Sequence, residues 1–168
     1  MKPVRSFPPS AGRSARILVL GSMPGEASLR AGQYYAHPRN AFWLIMEDIF
    51  GPAGPVYSRR LALLKRNGVA LWDVLGSCVR PGSSDAAIRR SSIRHNDIAG
   101  FLSAHPGIER VVFNGSKAEE CFRRRVLPDL PVRFSRLEYL RLPSTSPAYA
   151  SVPYSAKLSA WRRALTRE

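Results

Sequence analysis

Ile17-Leu18-Val19-Leu20-Gly21-Ser22-Met23-Pro24-Gly25 is the stretch that decides the fold. Four apolar residues, two of them β-branched, run straight into Gly, Ser, Pro and Gly, the pattern of a buried strand stopped by a tight turn. A polar loop then leads to Tyr34-Tyr35-Ala36-His37-Pro38-Arg39-Asn40-Ala41-Phe42-Trp43, which gathers aromatic, amide and basic groups before the next helix. This order predicts a pocket floor at the end of the first strand.

Three more apolar segments repeat the pattern: Gly68 to Val74, Ile108 to Asn114, and Arg136 to Leu142. Helix-like stretches separate them. From Ala41 to Phe50, Phe42, Ile45, Met46 and Ile49 recur at three- and four-residue steps, so one face is expected to be buried. Ser58 to Arg66, Ile98 to Ala104 capped by Asp97, Ser116 to about Arg125, and Tyr154 to Leu165 read as further helices. The expected architecture is α/β, a three-layer α/β/α arrangement around a mainly parallel, four-stranded central sheet. Val79 to Asn96 is the least regular stretch, with turn residues Pro81 to Asp85 among Arg80, Arg89, Arg90 and Arg94, and reads as a long loop that is functional or mobile.

The 168 residues fit a single domain, 1–168, with 1–15 as a loosely ordered lead-in. Twenty-six basic against 12 acidic side chains leave a net charge of +14, which points to an acidic polymer as partner. Of the basic residues 22 are arginine, the side chain suited to bidentate phosphate contacts, although base composition of the gene would give the same bias. No apolar run approaches the roughly 20 residues of a membrane span, and Met1 to Arg16 lacks the apolar core of a secretory signal. Cys78 and Cys121 lie far apart, in no metal-ligand spacing, and read as small core residues in a reducing cytoplasm. No metal and no cofactor are expected.

In an open α/β sheet, the loops after the strand carboxyl ends gather at one edge, where ligands bind. Gly21 to Gly25 is neither a dinucleotide fingerprint nor a phosphate-binding P-loop, because the spacing and the Gly-Lys-Ser/Thr are missing. Taken with Leu71-Trp72-Asp73-Val74, Asn114-Gly115-Ser116-Lys117-Ala118 and Leu142-Pro143-Ser144-Thr145-Ser146-Pro147-Ala148, the two opening blocks resemble the uracil-DNA glycosylase superfamily. Within it they are most similar to the hypoxanthine-DNA (deoxyinosine) glycosylases. The pieces occur in the family's order and span most of the chain. The resemblance implies a monofunctional, metal-free enzyme of base-excision repair that hydrolyses the N-glycosidic bond of a deaminated base. It also implies a monomer working on DNA, taken as double-stranded.

The residues carry that chemistry. Reaching a glycosidic bond inside a duplex requires the nucleotide to leave the stack at a cost of a few kcal/mol. An aromatic platform returns about 1 to 3 kcal/mol. Tyr35 matches the family position that stacks on the extruded base, with Tyr34 as second candidate and packing over the sheet edge as the alternative for both. Asn40 is the catalytic candidate: an amide cannot take a proton as a carboxylate does, but it can hold a water against the sugar carbon. It would equally cap the helix that follows, and the two roles are compatible. Much superfamily chemistry has a polar residue where this chain has Met23, which shifts weight from the first turn to Asn40.

Gly21, Ser22, Met23, Pro24 and Gly25 are expected to line the base pocket, with the backbone N–H groups of Gly21 and Ser22 facing the departing base. Asp73 and Asn114 are candidate readers of the base edge, or else local acceptors and caps. Pro143, Ser144, Thr145, Ser146 and Pro147 match the loop that enters the minor groove. Their hydroxyls suit phosphate oxygens, and Leu142 stands where some relatives have histidine. Arg39, Arg89 and Arg90 are assigned to phosphate contact, and Arg123-Arg124-Arg125 to a solvated face. Two rivals remain: a uracil-directed or broad-specificity glycosylase, and a non-catalytic basic module that binds nucleic acid.

Overall fold

The computed structural model describes residues 1–166. Its strands are β1 (Val4–Arg5), β2 (Ile17–Gly21), β3 (Val69–Asp73), β4 (Leu75–Cys78), β5 (Arg94–His95), β6 (Arg110–Asn114) and β7 (Glu138–Leu142). The helices are α1 (Glu26–Ala31), α2 (Phe42–Phe50), α3 (Tyr57–Arg66), α4 (Ile98–Ala104), α5 (Ser116–Arg125) and α6 (Tyr154–Leu165). The four expected strands form one sheet in the order β3-β2-β6-β7, parallel throughout.

Period-two alternation sorts the sheet's side chains between two cores. Leu18, Leu20, Ala70, Val111 and Phe113 pack with Ile98, Phe101 and Leu102 of α4 and with Ala118, Cys121 and Phe122 of α5. Val19, Val69, Leu71 and Val112 pack with Phe42, Trp43, Ile45 and Met46 of α2, Leu64 of α3 and Trp161 of α6. β2 is central because its apolar residues are wanted on both faces, and Leu18, Val19 and Leu20 are fully buried. The connection after β2 runs over one face and that after β6 over the other, so a crevice opens where the carboxyl ends of these neighbours meet.

Three expectations are corrected. The lead-in is fastened rather than loose: β1 pairs antiparallel with β4, Ser10 bridges to Leu71, and the carbonyls of Phe7 and Pro8 accept from Trp72 Nε1 and the Tyr34 hydroxyl. These apolar and carbonyl groups had partners waiting on the sheet edge that proline and serine content alone conceals. The polar loop after Gly25 contains α1, whose Glu26 N–H is met by Ser83 Oγ at 2.7 Å and whose end is closed by Gly32 in the left-handed region. The stretch 79–96 holds β5 and two short 3-10 turns, and Ile88, Ile93 and Arg80 are buried. Asn96 ties this stretch down, donating from Nδ2 to the carbonyl of Asp73 at 2.8 Å and to Ser6 Oγ at 3.1 Å.

No helix among the described residues is long and apolar enough to cross a membrane. The ring of Phe7 meets Tyr34 edge-on at 5.2 Å and is partly buried against the second core. Phe7→Ala is expected to destabilise the protein by about 2 kcal/mol, less than the loss of a fully buried ring, as read from the urea unfolding midpoint.

Candidate active site

The four parallel strands end at one edge in Gly21, Asp73, Asn114 and Leu142. The turn after β2 is held by its carbonyls: Gly21 and Ser22 accept from the N–H groups of Val74 and Leu75, and Pro24 accepts from the Arg80 guanidinium. Position 21 must be glycine because of what lies against it. A Cβ there would collide with Asp73 Oδ1 and come within 3.0 Å of the Tyr35 hydroxyl oxygen. Met23 and Pro24 are buried, whereas Ser22 and Gly25 remain partly exposed. Ser22 Oγ donates to Asp85 Oδ2 at 2.7 Å.

The two neighbouring tyrosines have opposite fates. Tyr34 is a core residue: its hydroxyl donates to the Pro8 carbonyl, and its carbonyl accepts from Trp43 Nε1. It is therefore withdrawn from the pocket assignment. Tyr35 has φ of 54°, the one non-glycine residue in the left-handed region among those described, an uncommon conformation for an aromatic residue. Its ring stacks on Phe42 with centroids 4.1 Å apart. The residue stays partly exposed while its hydroxyl is buried against Asp73 and Asn114 without a well-formed hydrogen bond. Burial and the Asp73 charge push that phenol far above the ordinary tyrosine range.

Asn40 and Tyr35 meet at the same residue, Phe42. Asn40 Oδ1 accepts from the Phe42 N–H at 3.0 Å, which fixes the carboxamide at the start of α2. Its Nδ2 has no hydrogen-bond partner among the described residues. The turn that aims it is built by His37, whose carbonyl accepts from Asn40 N and whose Nδ1 accepts from Arg39 N. The Asn40 carboxamide thus has a structural end and an unengaged end, so capping leaves its amide protons available.

Asn114 and Thr145 are committed to each other. Asn114 Nδ2 donates to Thr145 Oγ1, and Asn114 Oδ1 accepts from Thr145 N, both at 2.9 Å. The Thr145 carbonyl accepts from Ala41 N at 3.0 Å. Thr145 is only 1% exposed, so its expected role as a phosphate donor is corrected: it is the internal knot of the loop. Ser144 and Ser146 remain partly exposed beside Pro143 and Pro147, and their oxygens accept from N–H groups two residues on, leaving each hydroxyl proton to donate. Both flanks of this loop hang from α6: Trp161 Nε1 donates to the Pro143 carbonyl at 3.0 Å and Lys157 Nζ to the Tyr149 carbonyl at 2.6 Å. Beside it, Gly115, Ser116, Arg141, Leu142, Pro143, Ser144 and Tyr149 line a depression of about 410 Å³. Arg39, Arg89 and Arg90 are exposed, and Arg125 donates to the Arg90 carbonyl, which joins the two arginine runs into one surface.

Sequence reasoning singled out Asp73 but missed the Arg80 and Asp85 charges that lie with it beneath the turn. Arg80 is fully buried at its side chain, 3.7 Å from Asp85, and Asp73 is 3% exposed. Three of the four buried side-chain atoms without a hydrogen-bond partner among the described residues cluster here: Tyr35 Oη, Asp73 Oδ2 and Arg80 Nη1. Each such group costs about 1–3 kcal/mol. Burial, reinforced by the Asp85 carboxylate and opposed by Arg80, raises the Asp73 pKa to about 7. No group of three or more His, Cys, Asp or Glu side chains that could hold a metal occurs among the described residues.

Residues 8–168 match the family model of the uracil DNA glycosylase superfamily. The chain belongs to that superfamily. Two curated relatives are each named hypoxanthine DNA glycosylase: one from Methanosarcina barkeri is 39% identical, and one from Methanosarcina acetivorans 37%. Each matches over 118 residues, 69% of this chain and 73% of the relative. A solution NMR structure of a candidate uracil DNA glycosylase from Methanosarcina acetivorans superposes with a TM-score of 0.80 at 32% identity, covering 98% of this chain and 97% of the other. Within this superfamily member, β2 to β7 and the loops at their carboxyl ends all fall in the matched range.

Two outcomes follow for stability. The folded protein binds the Asp73 proton more tightly than the unfolded chain, whose carboxyl titrates near 3.8. Stability contributed by this group is therefore full below pH 4 and falls as pH rises toward 7. Asp73→Asn removes that loss, so its advantage over wild type in urea unfolding is expected to grow across this window. Thr145→Val keeps the shape but leaves Asn114 Nδ2 unmet, and should cost about 1–3 kcal/mol in the same measurement.

Proposed function

We propose that the protein is a monofunctional DNA glycosylase that releases hypoxanthine from deoxyinosine, with Asn40 positioning the attacking water and Tyr35 stacking on the extruded base. The observation that supports this most directly is the convergence of the two side chains on Phe42, one through a backbone N–H and the other through ring stacking. The relatives named hypoxanthine DNA glycosylase point to the same base.

In this reading the nucleotide leaves the duplex and lays its base against Tyr35, on the side away from Phe42. Asn40 Oδ1 is held by Phe42, so the carboxamide keeps its orientation without help from the substrate, and its Nδ2 is the end left to hold a water. The water oxygen bonds to C1′ as the C1′–N9 bond breaks, and that electron pair leaves with the purine. The proton lost by the water balances the one the purine takes up, giving free hypoxanthine and an abasic sugar. Developing charge on the base is met by the N–H groups of the turn after β2. Ser144 and Ser146 on the braced loop, with Arg39, Arg89 and Arg90, contact phosphates and set the register on the DNA. Double-stranded DNA as substrate, a monomeric state and a cytoplasmic location belong to this proposal.

A uracil-directed activity is the second reading, favoured by the likeness to the structure described as a candidate uracil DNA glycosylase. Duplexes holding a single deoxyinosine, deoxyuridine or deoxyxanthosine, followed by alkaline cleavage of abasic sites, separate the two. Deoxyinosine is expected to be processed fastest. Asn40→Ala should reduce release by at least a hundredfold while duplex affinity stays within about twofold, since positioning acts on the chemical step. Wild-type protein that binds these duplexes and leaves all of them intact would be a binding module instead.

A further inference from the structure

We infer that Arg80 and Asp85 are positioning residues for base release: the clasp they close on Ser22 and Pro24 fixes the turn after β2 in the shape in which its N–H groups meet the departing base. The inference rests on the glycosylase reading of the preceding subsection and adds to it what holds that turn.

The turn is tethered at every second residue from one short segment of the chain, residues 80–85. Ser22 Oγ donates to Asp85 Oδ2 at 2.7 Å, the Pro24 carbonyl accepts from Arg80 Nη2, and the Glu26 N–H donates to Ser83 Oγ at 2.7 Å. Arg80 spans the gap because its guanidinium is a fork. Its Nε donates at 2.9 Å to the Gly82 carbonyl in its own segment, while Nη2 reaches across to Pro24. Nη1 lies 3.7 Å from Asp85 Oδ1, so the Ser22 and Pro24 tethers are joined through their own charges.

The carbonyls of Gly21 and Ser22 are taken by the N–H groups of Val74 and Leu75, and that of Pro24 by Arg80. The N–H groups of Ser22, Met23 and Gly25 meet no acceptor among the described residues. The turn therefore gives its acceptors to the protein and keeps its donors, the polarity that charge developing on a departing base requires. Burial of the clasp argues that it serves more than the fold. The Arg80 side chain is 0% exposed, and its Nη1 has no hydrogen bond. An apolar side chain of that size would fill the same space with no charge to desolvate, but it could not hold two carbonyls in register.

The test is the single-turnover rate of hypoxanthine release from a deoxyinosine duplex, with enzyme in saturating excess at pH 8. A smaller folded fraction leaves that rate constant unchanged, so a residue that only stabilises the fold does not move it. Arg80→Lys keeps the charge and loses the fork. Its rate constant should fall at least about fivefold while duplex affinity stays within about twofold, because phosphate contacts elsewhere carry the binding. A folded Arg80→Lys protein with a smaller loss, or with a loss matched by weaker duplex binding, would overturn the inference. If Arg80→Lys does not fold by circular dichroism, Asp85→Ala, which cuts the Ser22 tether at a partly exposed carboxylate, meets the same two criteria. Failure of the glycosylase reading shows itself differently, as wild-type protein that releases no hypoxanthine.

Discussion

Asn114 and Thr145 exchange two hydrogen bonds at the end of β6, and Thr145 extends a third from its carbonyl to Ala41. Through this knot one strand end, the Pro/Ser loop and the start of α2 share a single geometry. Asn40 sits immediately before Ala41, and Tyr35 leans on Phe42 immediately after it. A shift of the loop would therefore reach both site residues through one peptide. The arrangement also explains why a polar threonine is admitted to the interior: every polar atom it brings is matched, which is the condition under which burial of such a group is tolerated.

Beneath the turn after β2 the opposite holds. Asp73, Asp85 and Arg80 put charge where water is scarce, and three of the polar atoms at that spot remain unmatched. Such burial weakens a fold unless neighbours compensate fully. Compensation here is partial: the Arg80 guanidinium donates to the Gly82 and Pro24 carbonyls and lies near Asp85, while its Nη1 finds no hydrogen bond. Local destabilisation of this kind is characteristic of sites that act on something. The apolar cores on the two faces of the sheet hold the turn in place against it.

The sheet was legible because its strands are short apolar runs closed by Gly, Pro or Asn, a pattern that survives without any knowledge of neighbours. The block from Tyr34 to Trp43 pointed to Asn40 and Tyr35 as neighbours, and they do meet at Phe42. The rest depended on contacts that a linear pattern does not carry. Tyr34 and Tyr35 are the same residue type side by side, yet the first is a buried core residue and the second, with its left-handed backbone, stacks on Phe42 and stays partly exposed. Thr145 looks like its serine neighbours, and its burial follows from the partner 31 residues away. Arg80 stands before Pro81-Gly82 as a surface arginine would, yet the turn after β2 supplies the carbonyl that draws it in. α1 is only six residues long, too short for amphipathic spacing to show, and it is stabilised by Ser83 from a distant segment.

The loop from Pro143 to Tyr149 is suspended from α6 at both flanks, by Trp161 and Lys157, and knotted at Thr145 between them. Its conformational freedom is surrendered when the chain folds, so little is left to surrender when a partner docks there. A protein that must inspect a vast excess of sound nucleotides for each damaged one gains from that timing. Every fruitless encounter with DNA can begin and end without the loop having to rearrange.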